Sequence, residues 1–275
     1  MQVINNRVVV RGGGDIASGT IQKLYRSGFK VLVLEIEAPS SIRRNVSFSE
    51  AIFDGETTVE GIKSVLVKNY DEILKSWDRG DIPVAVDRYG KLIETIKPIA
   101  VVDAILAKRN LGTTIDMAPI TIALGPGFKA GVDVDIVVET MRGHNLGRLI
   151  FDGYALENTG EPGPICGYAG ERVIYSPCEG EINNIRQIGD IVKANETIAL
   201  IGGVEVKSKI DGVLRGIIRD KTYVSRGLKI IDIDPRYEEV ENCNTISDKA
   251  RNIGGSVLEG ILYFLVKLSS PYVVN

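Results

Sequence analysis

The sequence predicts an α/β protein with a parallel-sheet domain over residues 1–172, a small all-β module over 173–240 and a C-terminal helix within 241–275. Short apolar runs alternate with amphipathic patterns up to about residue 170, which is typical of strands joined by helices. Runs rich in β-branched residues, separated by Gly and Asp, follow. Helical periodicity then returns, and we expect that helix to pack back on the first domain.

The first predicted unit is a strand, a turn, a helix and a second strand. The strand over 7–10 leads into a glycine-rich turn, and the helix after it ends at Gly28. The run over 30–37 is apolar throughout, as in strands buried on both faces of a parallel sheet. A short amphipathic helix is predicted over 70–79. Further strands are predicted over 64–69, 82–87, 99–106, 120–125 and 136–140.

The β-rich segment contains an internal repeat. A shift of 32 positions places Gly180 on Gly212, Ile182 on Leu214 and several later apolar residues on apolar residues. The later pairs are Val192 with Val224, Ile198 with Ile230 and Ile201 with Ile233. We therefore expect an intertwined, pseudo-symmetric unit in which neither half buries its apolar face alone.

The C-terminal helix is predicted over 245–268. Thr245 or Ser247 can cap its N-terminus, and apolar residues at helical spacing form one face. Gly254 and Gly255 lie inside this helix, where glycine is unfavourable. We expect these glycines to allow close packing against another backbone.

Composition excludes several classes of protein. The 275 residues carry 33 Lys+Arg and 36 Asp+Glu, a net charge of −3, so we expect neither a nucleic-acid nor a membrane-surface binder. One His and three Cys without metal-ligand spacing predict no metal site. The N-terminal residues resemble no signal peptide, and we expect a cytoplasmic protein with reduced thiols. Thirty glycines, about 11% against roughly 7% on average, indicate many tight turns or a ligand loop.

The glycine-rich turn is the strongest candidate for a binding site. Gly12, Gly14 and Ala17 match G-x-G-x-x-A between a strand and a helix, where backbone N–H groups can bind a pyrophosphate. Glu35 ends the next strand 21 residues after Gly14, where an acid that binds a ribose is expected. We include Gly13 and Asp15 in the candidate site, although a carboxylate at Asp15 opposes a phosphate unless it points away or is paired. The alternative is a tight turn without a ligand.

Basic residues supply candidate phosphate contacts. Lys108 and Arg109 follow an apolar strand, the position at which ligands bind in open α/β sheets. His144 is the single His, so any acid–base role for a His falls to it. For any one arginine alone, a solvated surface charge is the favoured interpretation, and a hydrogen-bonded structural histidine is at least as consistent with His144 as a functional one. The basic candidates are Arg43, Arg44, Lys108, Arg109, Arg142 and His144.

Two family resemblances follow from longer stretches of sequence. Residues 176–182, 188–192 and 209–214 resemble the biotinyl/lipoyl-type barrel-sandwich modules. That family carries its prosthetic group on a lysine at a hairpin tip, whereas the corresponding tip here reads Ile-Gly-Gly-Val over 201–204. The resemblance therefore implies packing or docking rather than a swinging arm.

The second resemblance covers nearly the whole chain. RGGGDIASGT, LEIEAPSSIRRNVSFSEAIFDGE and ENCNTISDKARNIGGSVLEGIL, with the long stretch from VVDAILAKRN to MRGHNLGR, are similar to the YqeB-type proteins. These are named for selenium-dependent molybdenum hydroxylase systems and are regarded as accessory factors in enzyme maturation. The glycine-rich βα unit is also similar to the Rossmann half of the XdhC-type factors that handle molybdenum cofactor. The first domain is thus expected to be Rossmann-like.

This resemblance implies a non-catalytic accessory protein. It would bind a molybdenum-pterin dinucleotide or a related nucleotide, a phosphate-bearing small molecule in either case, and act on a molybdenum hydroxylase apoenzyme. It implies no catalytic residues. Two alternatives stay open, an NAD(P)-dependent oxidoreductase and a non-catalytic docking scaffold, and so does a homo-oligomeric state.

Overall fold

The computed structural model describes residues 5–160 and 163–269, which divide into two compact units. The first comprises the residues up to Pro39, Phe48–Asn158 and the residues from Ile246 onward. The second comprises Ser40–Ser47 and Thr159–Thr245. A large parallel sheet, additional antiparallel sheets and a C-terminal helix confirm a mixed α/β architecture.

The first unit is built on a nine-stranded sheet. In chain order its strands are β1 (Arg7–Arg11), β2 (Lys30–Glu35), β3 (Glu56–Val59), β4 (Ile62–Val67), β5 (Ile82–Val86), β6 (Ala100–Asp103), β7 (Ile120–Leu124), β9 (Ile136–Val138) and β10 (Leu149–Ile150). Between them, β8 (Lys129–Ala130) forms a two-stranded ribbon with β11 (Gly153–Tyr154). The sheet order is β10-β9-β7-β6-β1-β2-β5-β4-β3, and only the outer pairs β3–β4 and β9–β10 are antiparallel. Strands therefore form at every position predicted within 7–140.

The helices of this unit follow their local sequence signals. They are α1 (Asp15–Arg26), α2 (Ala51–Asp54), α3 (Tyr70–Arg79), α4 (Leu92–Ile96) and α5 (Asp248–Ser269). The bounds of α3 are those predicted, because the Asn69 side chain accepts the Glu72 N–H at one end and Gly80 adopts a left-handed conformation at the other. At α5, the Ser247 hydroxyl accepts the Ala250 N–H, so Ser247 is the cap.

Two glycines allow α1 and α5 to cross at close range. A Cβ atom at Gly19 would lie 2.2 Å from the carbonyl oxygen of Ala250, and one at Gly254 would lie 2.4 Å from that of Gly19. Ile253, Val257 and Ile261 of α5 are fully buried beside this contact. The expected close backbone packing therefore holds for Gly254, whereas Gly255 faces open space.

The direction in which strands are added reverses at the centre of the large sheet. The chain passes from β1 to β2 on one side and later returns to place β6 on the other side of β1. In parallel sheets, such a reversal opens a crevice outside the carboxyl ends of the strands. Here those ends are Arg11 of β1, Glu35 of β2 and Asp103 of β6.

The second unit contains two four-stranded antiparallel sheets. Its strands are β12 (Val173–Tyr175), β13 (Gly180–Asn184), β14 (Ile191–Val192), β15 (Thr197–Ile201), β16 (Val204–Lys207), β17 (Gly212–Ile217), β18 (Tyr223–Val224) and β19 (Lys229–Asp234). The sheets have the orders β12-β19-β17-β14 and β16-β15-β13-β18. Thus β14 of the first repeat pairs with β17 of the second, while β18 of the second pairs with β13 of the first. This exchange is the intertwined arrangement that the repeat predicts.

The repeat extends to turns and hydrogen bonds. Ser176 and Ser208, 32 positions apart, are both buried, and each hydroxyl donates to a carbonyl two residues later, at 2.5 and 2.6 Å. Asn195 and Gly227, also matched by the shift, both have positive φ. The same shift predicts that Ile185 matches Ile217, but Ile185 is 53% exposed and Ile217 is fully buried.

The unit boundaries differ from those expected in two places. The β-rich unit begins at Thr159 rather than 173 and also takes in Ser40–Ser47. The buried Arg43 side chain holds that segment, because its guanidinium donates to the carbonyls of Asn242 and Thr245 at 3.0 and 2.9 Å. Local periodicity carries no signal for a contact between residues about 200 positions apart.

Candidate functional site

A pocket of about 410 Å³ opens at the carboxyl ends of β1, β2, β5 and β6 in the first unit. We call it the switch-point pocket, because the direction of strand addition reverses there. This volume lies within the range of small-molecule sites. The lining residues come from the strand ends and from the loops after them. They are Arg11, Gly12, Leu34, Glu35, Ile36, Asp87, Arg88, Tyr89, Ile105, Arg109 and Leu111.

The glycine-rich turn forms one wall of the pocket, and its backbone forms hydrogen bonds with the neighbouring strand of the first unit. Gly12 has φ +95°, and a Cβ there would lie 2.9 Å from the Ala104 carbonyl oxygen, so only glycine fits. The Gly12 N–H donates to the Leu34 carbonyl at 2.8 Å, and the Gly13 N–H donates to Glu35 Oε1 at 2.7 Å. Gly14 is the N-cap of α1.

Glu35 binds the backbone with both carboxylate oxygens. In addition to the contact with Gly13, its Oε2 accepts the Ile36 N–H at 2.9 Å. Burial raises the pKa of the Glu35 carboxyl, and these two hydrogen bonds offset part of that effect. Backbone hydrogen bonds therefore hold the Glu35 carboxylate in the pocket wall, and its side chain is not free to bind a ribose.

A buried polar cluster supports the floor of the pocket. Arg11 and Asp103 end adjacent parallel strands in register, with Nη1 and Oδ2 3.7 Å apart. The Thr113 hydroxyl accepts a hydrogen bond from Arg11 and donates to Asp103 Oδ2 at 2.5 Å. All three residues are at most 2% exposed. Burial raises the pKa of Asp103, while Thr113 and Arg11 favour its charged form.

The rim of the pocket combines cations with exposed apolar groups. Arg88 and Arg109 are exposed, and Tyr89 is 73% exposed. Ile105 and Leu111 are 36% and 44% exposed on the same pocket. Such a rim can hold a flat ring against apolar surface and an anion against guanidinium groups.

The two rim arginines differ in their partners. Arg88 Nη2 lies 3.8 Å from a carboxylate oxygen of the exposed Glu37, a long surface pair of little energetic value. Within residues 5–160 and 163–269, Arg109 has no ion-pair partner. The Arg109 guanidinium is thus the cation best placed to bind a ligand anion.

The structure brings together only some of the predicted site residues. Gly12, Glu35 and Arg109 line the pocket, Gly13 bonds to Glu35, and Asp15 lies in the first turn of α1. Lys108 is exposed and has φ +61°. The glycine at 127 lets its loop approach the backbone of Arg109, since a Cβ there would lie 2.6 Å from the Arg109 Cα.

The other predicted basic residues lie elsewhere. Arg43 and Arg44 belong to the second unit, where Arg44 Nε donates to the Ile217 carbonyl at 2.9 Å. Arg142 makes a bidentate pair with Asp248, at 2.9 and 3.2 Å, on an exposed surface. His144 is exposed in the same loop. None of these four residues lines the switch-point pocket.

Sequence reasoning missed the loop after β5. Asp87, Arg88 and Tyr89 follow an apolar strand directly, as Lys108 and Arg109 nearly do. Charged residues directly after a buried parallel strand are the signal that could have found them. Asp87 also accepts the Leu92 N–H at 2.7 Å and so fixes the start of α4.

The described part of the chain has neither a cluster of metal ligands nor a membrane-spanning helix. No group of three or more His, Cys, Asp or Glu in residues 5–160 and 163–269 could hold a metal ion. No helix in those ranges is long and apolar enough to cross a membrane.

Comparison with known proteins shows a clear relative. The sequence is 51% identical to the "Uncharacterized protein YqeB" of Escherichia coli (strain K12) over 258 residues. The chain is similar to YqeB over most of its own length. This supports the predicted resemblance to the YqeB-type proteins. The match covers 94% of this chain and 48% of YqeB, so the chain spans about half the length of that relative. No protein-family model matches the sequence.

Two solved structures show distant likenesses to the chain. The product-bound ectoine utilization protein EutE (DoeB) from Ruegeria pomeroyi has 10% identity and a TM-score of 0.24, over 83% of this chain and 57% of that chain. An aspartoacylase family protein from Mesorhizobium loti has 12% identity and a TM-score of 0.25, over 83% and 84%. These TM-scores are too low to establish a shared fold.

Proposed function

We propose that the first unit binds a nucleotide-type ligand in the switch-point pocket and that the protein is a non-catalytic accessory factor. On the sequence resemblance, the ligand is a molybdenum-pterin dinucleotide or a related nucleotide, carried as cargo to a molybdenum hydroxylase apoenzyme of a selenium-dependent system. The observation that carries the proposal is the exposed Arg109 beside Tyr89, Ile105 and Leu111 in one pocket. Among the described residues, 5–160 and 163–269, Arg109 has no ion-pair partner.

The chemistry of the pocket fits such a ligand. A pterin or a nucleobase is flat and would pack on Tyr89 and the two aliphatic side chains. Arg109 and Arg88 would neutralise phosphate, where a guanidinium offers paired donors. Asp87 would accept hydrogen bonds from ring N–H or ribose hydroxyl groups.

The finer description of the fold is part of the same proposal. The order of the parallel strands and the glycine turn between β1 and α1 support a Rossmann-like unit. The exchanged strands of the second unit support a barrel-sandwich module. The tip between β15 and β16 is Gly202–Gly203, without a lysine, which supports a docking role for that unit.

Isothermal titration tests the proposal. Molybdenum cofactor released from a purified hydroxylase, CDP, ADP and NAD⁺ would each be titrated into the wild-type protein and into Arg109→Ala. We expect binding of at least one dinucleotide or nucleotide, weakened roughly tenfold or more in Arg109→Ala. Arg142→Ala, which removes an exposed arginine from another surface, should bind as wild type does. No binding by the folded wild-type protein to any of these ligands would refute the proposal.

A further inference from the structure

Glu35 occupies the position from which an acid usually contacts a ligand, but its contacts are with the protein. We infer that Glu35 is a specificity-determining residue that closes the glycine turn to phosphate and directs the ligand anion to Arg109. This inference rests on the proposed function of the pocket. It assigns Glu35 a role different from the ribose contact that the sequence pattern predicts.

Two backbone donors of the turn, those of Gly12 and Gly13, are already engaged. In phosphate-binding glycine turns, N–H groups point toward the anion. Here the Gly12 N–H donates to Leu34 and the Gly13 N–H to Glu35. A phosphate at Gly13 would have to displace a carboxylate that accepts this N–H at 2.7 Å.

Gly12 and Gly13 are explained by packing within the unit. The Gly13 carbonyl accepts the Ser49 N–H at 2.9 Å. A Cβ at Gly13 would lie 3.0 Å from that nitrogen and 3.1 Å from Val33 Cγ1. The absence of a side chain at Gly13 thus lets the segment at Ser49 approach, and no ligand is needed to account for the glycine.

The charges in the pocket favour an anion at the rim. A phosphate near the turn would face the Glu35 carboxylate in a partly buried setting, where repulsion is screened less than in water. At the rim, Arg109 has no ion-pair partner within residues 5–160 and 163–269. The other titratable groups that line the pocket are Arg11, Asp87, Arg88 and Tyr89. Asp87 is thus the second carboxylate in the pocket lining, in addition to Glu35.

Protonation of Glu35 should relax this exclusion. Burial raises the pKa of Glu35, so the carboxyl takes up a proton at a higher pH than an exposed glutamate would. Anion affinity should therefore rise as the pH falls through that pKa. The dependence should be absent when residue 35 cannot ionise.

The experiment measures the Kd of NAD⁺, a pyrophosphate diester whose charge is constant over the range used. Wild type, Glu35→Gln, Glu35→Ala and the matched control Glu37→Gln are compared at about pH 8 and about pH 5. Glu37→Gln removes the same charge from an exposed site two residues away. Asp87→Asn measures how much Asp87 contributes to the pH dependence of the Kd for NAD⁺. The ligand found for the wild-type protein is titrated in parallel into Arg109→Ala.

We expect Glu35→Gln and Glu35→Ala to bind NAD⁺ roughly tenfold or more tightly than wild type at about pH 8, with a smaller gain at about pH 5. Glu37→Gln should match wild type. An unchanged Kd for NAD⁺ in both Glu35 variants, or an equal gain in affinity in Glu37→Gln, overturns the inference. Even then, weaker ligand binding by Arg109→Ala would still support the proposed function. If no variant binds any ligand, both fail. If the Glu35 variants do not fold, a flat wild-type pH profile for NAD⁺ overturns the inference.

Discussion

At the residue scale, a buried ion pair at the strand ends of the first unit's sheet supports the floor of the pocket. Arg11 and Asp103 are buried charges, and a charge removed from water is tolerated only when it is paired and hydrogen-bonded. Thr113 supplies the bridge between them. Arg11 also donates to the Arg88 carbonyl at 3.1 Å, so the same side chain fixes the loop that carries Tyr89.

Thr113→Val should destabilise the protein by about 2 kcal/mol, because it leaves the Asp103 carboxylate without its hydroxyl donor in a buried place. Urea unfolding at neutral pH measures the loss. Thr114→Val, at the exposed neighbour with no capping hydrogen bond, is the control and should change stability little. Equal stabilities for the two variants would show that the cluster contributes nothing.

Part of this site can be predicted from the sequence, and the rest cannot be predicted for a physical reason. The glycine turn and Glu35 are predicted together, because strand, turn and helix impose a fixed spacing. Thr113 lies in an irregular segment after β6, and nothing periodic places its hydroxyl between Arg11 and Asp103. Arg109 is one of several basic candidates in the sequence. Only the structure distinguishes it from Arg43 and Arg142, because Arg109 lines the pocket and they do not.

At the element scale, the contact between α1 and α5 decides how the C-terminal helix is held. Gly19 and Gly254 remove the side chains that would keep the two backbones apart. Two adjacent glycines in a helix predict close packing from sequence, but only the crossing geometry shows which one needs it. That geometry depends on the partner helix, which local sequence does not specify.

The adjacent glycines of α5 give a paired prediction. Gly254→Ala should destabilise the protein by about 2–3 kcal/mol despite the better helix propensity of alanine, because its Cβ would overlap the Gly19 backbone. Gly255→Ala meets open space and should stabilise by about 0.5–1 kcal/mol. Thermal unfolding of both variants measures the difference. The same sign for both changes would contradict the packing described for this helix pair.

At the scale of the whole molecule, the chain forms two units, each with its own apolar core. The core of the second unit is contributed by both repeats, with Ile182, Ile201, Leu214 and Ile233 fully buried. The 32-residue repeat predicts this exchange, because a half with one apolar face must bury it on its twin. In the segment Ser40–Ser47, Arg43 and Arg44 both donate to backbone carbonyls of this unit, whereas pattern analysis assigns them to a ligand site.

Pseudo-symmetry predicts equal costs for matched changes in the second unit. Ser176→Ala and Ser208→Ala each remove a buried hydroxyl that donates to a carbonyl two residues on. We expect each to cost about 1 kcal/mol and the double variant to lose the sum. Chemical denaturation monitored by circular dichroism checks this. A loss at one serine only would show that the two repeats are energetically distinct.

The central claim, that Arg109 anchors an anionic small molecule in the switch-point pocket, is tested most directly by native mass spectrometry of protein purified without added ligand. The account predicts that wild type and Arg142→Ala carry a phosphate-containing small molecule and that Arg109→Ala, equally folded, has lost most of it. Equal occupancy in Arg109→Ala and wild type would contradict the claim.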